Sequence, residues 1–144
     1  NQVEPTIRYY HSRVEQGDIL RESIQELLKE GFQPADIVIL SPRSEERCVA
    51  SEFLDARSKD LLVPLSKSDG RDHDAKVRYG SIHSFKGLEA GAVILTDVEE
   101  LASRSAQDLF YVGVTRALHR LVVLVHDKLR VQLREMLLAK VPMV

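Results

Sequence analysis

The chain has 144 residues, of which 44% are hydrophobic and 29% are charged, and its formal net charge is -2. A chain of this length can form one domain that buries about 70% of its unfolded surface without disulfides or a structural metal. The near-neutral charge excludes a global positive field, so a nucleic acid would have to bind at a local groove.

Hydropathy and cysteine content indicate the compartment. No apolar run reaches about 18 residues, so no membrane span is predicted. The single cysteine, Cys48, cannot form an internal bridge and is typical of a reducing compartment. We therefore expect a soluble, cytoplasmic chain without membrane contact, in which Cys48 is a small packing residue.

Because the chain begins at Asn1 without a leader, we expect residues 1–144 to be a single domain of a longer protein.

The first elements in chain order are a strand, a helix and a second strand. Residues 6–10 are typical of a short strand, and the helix after them carries apolar residues at helical spacing and ends before Gly31. Residues 36–40 form a continuous apolar run rich in β-branched side chains, which indicates a parallel strand covered on both faces. The apolar helix positions are Ile19, Leu20, Ile24, Leu27 and Leu28.

Helices and strands continue to alternate in the rest of the chain. Ser44 is predicted to cap a helix that extends to Ala56 and has Arg47 in its first turn. The further predictions are a short strand at 61–65, an exposed loop at 66–75, an extended segment at 76–82, a buried strand at 91–96, a helix at 105–118, a strand at 121–125 and a helix at 128–139.

This alternation predicts the fold class. Apolar strands separated by helices favour an α/β fold with a mostly parallel, doubly wound sheet and helices on both faces. In such folds, ligands bind at the carboxyl ends of the strands. We therefore expect a site there that contains Arg47, residues 81–89 and the segment after Thr96.

Most of the functional information lies in two blocks of sequence. Residues 81–89 read SIHSFKGLE, which places hydroxyl, imidazole, ammonium and carboxylate groups directly after a predicted strand. Strand-to-helix turns of this kind bind phosphates and nucleotides in α/β proteins. Residues 109–117 read LFYVGVTRA, an apolar segment that ends in one arginine.

The two blocks resemble motifs V and VI of the UvrD/Rep-type superfamily-one DNA helicases. Residues 41–47, which read SPRSEER after a buried strand, are similar to motif IV of the same family. The resemblance covers most of the chain and implies the second RecA-like motor domain, a P-loop NTPase fold without its own Walker A motif. The interval between Arg47 and Ser81 is too short for the large accessory domain of UvrD and Rep, so a compact relative is expected.

The resemblance implies an ATP site and a DNA site. Arg116 would be the arginine finger that reaches the γ-phosphate, and Arg47 would contact ATP phosphates, with Arg43 as the rival. Glu89 would accept hydrogen bonds from the ribose hydroxyls beside Gly87, where the backbone can approach closely. Single-stranded DNA would contact Ser81, His83 and Ser84.

The implied function is that of the C-terminal motor domain of an ATP-dependent DNA helicase or translocase. ATP and Mg²⁺ would be bound mainly by an N-terminal RecA-like domain of the same protein, so the isolated chain is expected to be inactive. Two alternatives remain open. One is a non-catalytic DNA- or protein-binding module derived from the helicase fold, and the other is a free-standing nucleotide-binding domain with measurable ATP affinity of its own.

Several other features have simpler interpretations. Residues 94–100 resemble a Walker B strand, but the chain has no phosphate loop of the Walker A type, so carboxylates at a helix N-terminus explain them better. For the same reason Lys86 has no assigned role. Phe110 and Tyr111 are interpreted as packing residues. No metal site is predicted, because metal-ligand spacing is absent from the histidines His11, His73, His119 and His126.

Overall fold

A computed structural model of the chain describes residues 3–52, 60–68 and 76–139. Within these ranges the strands form one sheet in which every neighbouring pair is parallel. Their order across the sheet is β1-β6-β5-β2-β4-β3. The predicted α/β class with a parallel sheet is confirmed. The strands are β1 (Pro5–Tyr10), β2 (Ile37–Ser41), β3 (Leu62–Pro64), β4 (Val77–Ser81), β5 (Ala90–Val98) and β6 (Ala117–His126).

Helices cover both faces of this sheet. In β2, Ile37 and Ile39 belong to one buried cluster, whereas Val38 and Leu40 belong to a second cluster on the opposite face. This alternation explains why the strand is a continuous apolar run. The first cluster includes residues of α1 (Arg13–Lys29) and α2 (Val49–Glu52), and the second includes residues of α3 (Arg104–Val114) and α4 (Arg130–Ala139). None of these helices, in the described part of the chain, is long and apolar enough to cross a membrane.

Helix α1 follows its sequence signals. The Ser12 side chain accepts a hydrogen bond from the Glu15 amide and so caps the first turn. The helix ends at Lys29, and Gly31 then adopts a φ of +107°, which glycine adopts without steric cost. The predicted apolar positions Ile19, Leu20, Ile24 and Leu27 are buried, and Leu28 packs at the edge of the cluster.

The prediction for α2 is wrong at its start. Residues 45–47 form a turn in which the amides of Arg47 and Cys48 donate to the Ser44 carbonyl, at 3.1 and 3.0 Å, and the helix begins only at Val49. The Val49 amide donates to the carboxylate of Asp97 at 3.1 Å. The helix N-terminus is therefore capped by a distant strand rather than by Ser44. The predicted continuation to Ala56, like most of the predicted loop at 66–75, lies outside the described residues.

The prediction that α3 extends to residue 118 is also wrong. The helix ends at Val114, Thr115 and Arg116 form a turn, and Ala117 already pairs with Ala90 of β5. Strand β6 is therefore longer than predicted, because the backbone groups of its first residues find partners on β5. The last predicted helix begins with a 3₁₀ turn (Asp127–Leu129) before α4.

The strand register defines two edges of the sheet that matter for function. Ser41 and Ser81 pair at the carboxyl ends of β2 and β4, which we call the carboxyl edge. Ala90 and Ala117 pair at the amino ends of β5 and β6, which we call the amino edge. Residues 82–89 connect β4 to the parallel strand β5, so they extend from one edge to the other, roughly 20 Å along the strands. The expectation that all of residues 81–89 lie at the carboxyl edge is therefore wrong for its second half.

Candidate nucleotide and nucleic-acid sites

The first half of the 81–89 segment forms a compact turn at the carboxyl edge. The Ser81 hydroxyl accepts from the Ser84 amide at 3.1 Å, and the Ser84 hydroxyl donates to the Ser81 carbonyl at 2.8 Å. Phe85 is fully buried below this turn, whereas His83 and Ser84 are exposed. The structure thus brings the three residues predicted to contact DNA together and exposes an imidazole and a hydroxyl to solvent.

The second half of the segment lies at the amino edge. Gly87 has a φ of +79°, a conformation that side-chain-bearing residues rarely adopt, so a glycine is suited to this turn. Glu89 is exposed, and its carboxylate has no hydrogen-bond or ion-pair partner among the residues that the structure describes. Both carboxylate oxygens of Glu89 are therefore free to accept hydrogen bonds from a ligand.

Arg116 connects the two sequence blocks. Its guanidinium donates to the carbonyls of Val112 and Leu88, at 3.2 and 3.4 Å, and to the Thr115 hydroxyl at 3.1 Å. The Ala90 amide in turn donates to the Arg116 carbonyl at 3.0 Å. All three acceptors of the side chain are neutral, and within residues 3–52, 60–68 and 76–139 no carboxylate forms an ion pair with it. In the described part of the chain the charge of Arg116 therefore has no ion-pair partner, and its guanidinium lies at the carbonyl of Leu88, the residue between Gly87 and Glu89.

Arg47 lies at the opposite edge. Its side chain is exposed and has no partner among the described residues, and its carbonyl accepts a hydrogen bond from Arg13. Arg43, Ser44 and Arg47 line one open depression, and Arg43 also forms an ion pair with Glu99 at 3.1 Å. Because Arg47 follows the carboxyl end of β2 and Arg116 precedes the amino end of β6, the fold does not bring these two arginines together.

A cleft of about 440 Å³ opens at the carboxyl edge beside the DNA-contact candidates. Arg43 and His83 both line it, over a floor that includes Phe110. Glu99, at its rim, accepts hydrogen bonds from Arg43 and from the Tyr10 hydroxyl, which is 2.8 Å away. Burial raises the pKa of Tyr10, so its hydroxyl remains a donor at neutral pH. The cleft thus combines an apolar floor with a fixed polar rim.

Asp97 is the important residue that the sequence interpretation missed. Its side chain is 0% exposed, its backbone φ of 59° is in the left-handed region, and its amide donates to Gln16 at 2.7 Å. Its carboxylate is surrounded by protein donors, so it is not available as a magnesium ligand. These donors are Arg13 at 3.2 Å, Gln16 at 3.4 Å, Ser41 at 2.8 Å, the Val49 amide at 3.1 Å and Thr96 at 2.8 Å.

The acidic residues after β5 therefore have different roles. Glu100 accepts hydrogen bonds from the amides of Ala102 and Ser103 just before α3, at 2.7 and 2.9 Å. These bonds, led by the one from Ser103, lower the pKa of Glu100. Carboxylates at a helix N-terminus thus explain Glu100, as predicted, but not the buried Asp97.

Phe110 and Tyr111 agree with their interpretation as packing residues. Phe110 is buried, and Tyr111 packs beside it with ring centroids 5.6 Å apart. Among the described residues, no group of three His, Cys, Asp or Glu side chains could hold a metal ion. His11 pairs with Glu15, and His126 accepts from the Lys128 amide. His73 lies outside the described residues.

Comparison with known proteins supports the resemblance in sequence and in fold. Residues 76–124 match the family model of the UvrD-like helicase C-terminal domain, a segment that runs from β4 into β6 and includes both sequence blocks. Among solved structures, one similar chain is the C-terminal domain of a possible DNA helicase from Lactobacillus plantarum WCFS1. The TM-score is 0.65 at 14% identity, and the match covers 88% of this chain and 74% of that one.

A comparison with curated proteins found no match. At 14% identity, the likeness to the solved structure shows the fold alone. The matched segment confirms the predicted resemblance: residues 76–124, with both sequence blocks, are similar to the UvrD-like helicase C-terminal domain, and the chain shares the fold of the solved structure.

Proposed function

We propose that the chain is the C-terminal motor domain of an ATP-dependent DNA helicase or translocase. In this proposal an N-terminal RecA-like domain of the same protein binds most of the ATP and its Mg²⁺, and Arg116 supplies the arginine finger. The supporting observation is the position of the Arg116 guanidinium on the Leu88 carbonyl, without a carboxylate partner among the described residues. An unneutralised guanidinium at a fixed position is suited to bind a polyphosphate.

The contacts of Arg116 are compatible with that role. Its hydrogen bonds to Leu88 and Thr115 orient the planar group, and each terminal nitrogen keeps a further N–H for an anion. Such an orientation allows the positive charge to offset the charge that develops on the transferred phosphoryl group. Glu89 follows Leu88, whose carbonyl accepts from Arg116, and would accept from the ribose hydroxyls, where the turn at Gly87 would let the backbone approach the ligand.

The carboxyl edge is the proposed path of single-stranded DNA. Ser81, His83 and Ser84 present hydroxyl and imidazole groups that can bind a phosphate or stack on a base. The exposed guanidinium of Arg47 lies at this edge rather than beside Arg116. Its position favours a phosphate of the bound strand over a phosphate of the nucleotide. Opening and closing of the two motor domains would then move the protein along the strand.

The test is the ATPase activity of the full-length protein with Arg116→Ala. We expect DNA-stimulated turnover to fall by about 10³-fold or more, with little change in melting temperature. The matched control is Arg104→Ala, which removes an exposed arginine at the start of the same helix. Unchanged turnover in a folded Arg116→Ala protein would remove Arg116 from the mechanism and with it the central claim of this proposal.

A further inference from the structure

The buried carboxylate of Asp97 lies where the two ends of the 42–48 loop meet. Ser41 precedes this loop and Val49 follows it, and both donate hydrogen bonds to Oδ2 of Asp97, at 2.8 and 3.1 Å. The Ser41 hydroxyl also accepts from the Arg43 amide at 3.0 Å. One carboxylate oxygen therefore fixes both ends of the loop that carries Arg47.

Arg13 extends this network to the middle of the loop. Its guanidinium donates to Oδ1 of Asp97 at 3.2 Å, to Glu52 at 2.7 Å and to the backbone carbonyl of Arg47. A guanidinium presents donors on three nitrogens in one rigid plane, whereas an ammonium carries its three donors on a single, freely rotating nitrogen. The backbone of Arg47 is thus attached to Asp97 through a single side chain from the start of α1.

The loop also has contacts of its own. The Ser66 amide and hydroxyl donate to the Glu45 carboxylate, the Ser51 hydroxyl donates to the Glu46 carbonyl at 2.9 Å, and Arg43 forms the ion pair with Glu99. Its internal hydrogen bonds join the amides of Arg47 and Cys48 to the Ser44 carbonyl, and Pro42, Arg43, Ser44 and Arg47 are exposed. Charge-assisted hydrogen bonds to a buried carboxylate are stronger and more directional than neutral bonds at the surface. Asp97 and Arg13 therefore hold the backbone at the two ends of the loop and at Arg47, while the other contacts lie at Arg43, Glu45 and Glu46.

We propose that Asp97 and Arg13 are positioning residues that fix the 42–48 loop, so that the Arg47 guanidinium is presented to a phosphate of bound single-stranded DNA. This inference rests on the proposed function, because it takes the phosphate contact of Arg47 from there. It adds the residues that make this contact possible, and it gives a functional reason for a buried acid in the left-handed backbone conformation. Neither residue touches the DNA itself.

The experiment is a double-mutant cycle in the full-length protein, with single-stranded DNA binding measured over a range of salt concentrations. The binding constant K falls with salt, and loss of one phosphate contact reduces the magnitude of the slope of log K against log salt concentration by about 0.7. We expect this change for Arg47→Ala, and a similar change for Asp97→Asn and for Arg13→Lys. Asparagine retains the shape and the left-handed conformation of Asp97, and lysine retains the charge of Arg13.

The combined variants separate positioning from general destabilisation. If Asp97 and Arg13 act through Arg47, adding Asp97→Asn or Arg13→Lys to Arg47→Ala causes no further loss of slope. Amide hydrogen exchange within residues 42–48 should also become faster in the two single variants than in the parent. The control is Arg8→Ala, which removes an ion pair with Glu22 elsewhere on α1 and should leave the slope unchanged.

The outcomes distinguish the two claims. Additive losses of slope in the combined variants would overturn the positioning role. So would an unchanged slope in folded Asp97→Asn and Arg13→Lys proteins. Either result would leave the proposed contact between Arg47 and a DNA phosphate intact. An unchanged slope for Arg47→Ala would overturn the phosphate contact and the positioning role together. The arginine-finger test with Arg116 is independent of either result, because it is read out as ATP turnover.

Discussion

A methyl group placed on Gly113 would lie 2.9 Å from Cδ1 of Leu95 and 3.2 Å from Cδ1 of Ile82. Helix α3 thus touches strand β5 at a point where no side chain fits. Leu95 and Ile82 are fully buried, so neither can move away without disturbing the second cluster. This close contact fixes the helix that leads into Arg116.

Gly113→Val should therefore destabilise the domain. Overpacking of a close-packed core typically costs about 1–3 kcal/mol, and a β-branched residue gains little helix propensity over glycine. The measurement is the free energy of unfolding from a urea titration. Gly91→Ala is the matched control, since its added Cβ would meet only ordinary contacts at 3.6 Å or more. Equal stability of the two variants would contradict the close helix-to-sheet contact.

Gly87→Ala should destabilise through the backbone alone. No atom lies within 4 Å of an added Cβ, but the φ of +79° costs a side-chain-bearing residue about 1 kcal/mol. Gly87→Asn should lose less stability than Gly87→Ala, because asparagine tolerates the left-handed region better than alanine does. The comparison of melting temperatures checks this order. A loss for asparagine as large as that for alanine would show that conformation is not the cause.

Glu89→Gln in the full-length protein should raise the KM for ATP about tenfold and leave kcat nearly unchanged. The side-chain amide accepts hydrogen bonds from the ribose hydroxyls more weakly than the charged carboxylate does. A tenfold change in KM corresponds to about 1.4 kcal/mol of binding free energy. Steady-state kinetics measure it. Glu4→Gln, at an exposed glutamate outside both sites, is the control. A KM equal to that of the parent would contradict the ribose contact.

Cys48 should be unreactive in the native domain. Burial raises the pKa of its thiol to about 11, so almost no thiolate is present at pH 8. A thiolate-specific disulfide reagent should react only after unfolding in guanidinium chloride. Rapid reaction of the folded protein would contradict the buried position.

The same shift predicts an alkaline limit to stability. Because the folded state favours the neutral thiol, the contribution of Cys48 is complete below its unfolded pKa of about 8.5 and decreases as the pH rises towards 11. Unfolding free energies of Cys48→Ala and the parent, measured between pH 7 and 11, should differ in slope. Parallel pH profiles would show that the thiol does not titrate differently on unfolding.

The isolated chain should bind ATP only weakly, at millimolar or higher concentration. It contributes Arg116 and Glu89 from one side, and the proposal assigns the remaining phosphate and magnesium contacts to another domain. Isothermal titration calorimetry on residues 1–144 measures the affinity. A tight complex would instead favour a free-standing nucleotide-binding domain.

The fold was predictable from the sequence because its main signals are local. The β-branched runs at β2, β5 and β6 are buried on both faces, and such continuous apolar runs are typical of parallel strands. The end of α3 was not predictable in the same way. Residues 117–118 continue an apolar helical pattern, but β5 offers hydrogen-bond partners that override it.

The site was predictable only in part, for a related reason. The blocks at 81–89 and 109–117 could be interpreted because their chemistry is contiguous in sequence. The environment of Asp97 could not, since Gln16 and Ser41 are 81 and 56 residues away along the chain. No local pattern distinguishes an acid bound by such distant donors from an exposed one.

The position of β1 has a consequence for biosynthesis. Pro5–Tyr10 is an edge strand whose neighbour in the sheet is β6, at Ala117–His126. A ribosome makes β1 well before its partner β6, so β1 stays unpaired while the intervening chain emerges. Translation arrested before residue 117 would leave the nascent chain with an open hydrogen-bonding edge on β5 as well, which makes such truncated products candidates for chaperone binding or degradation.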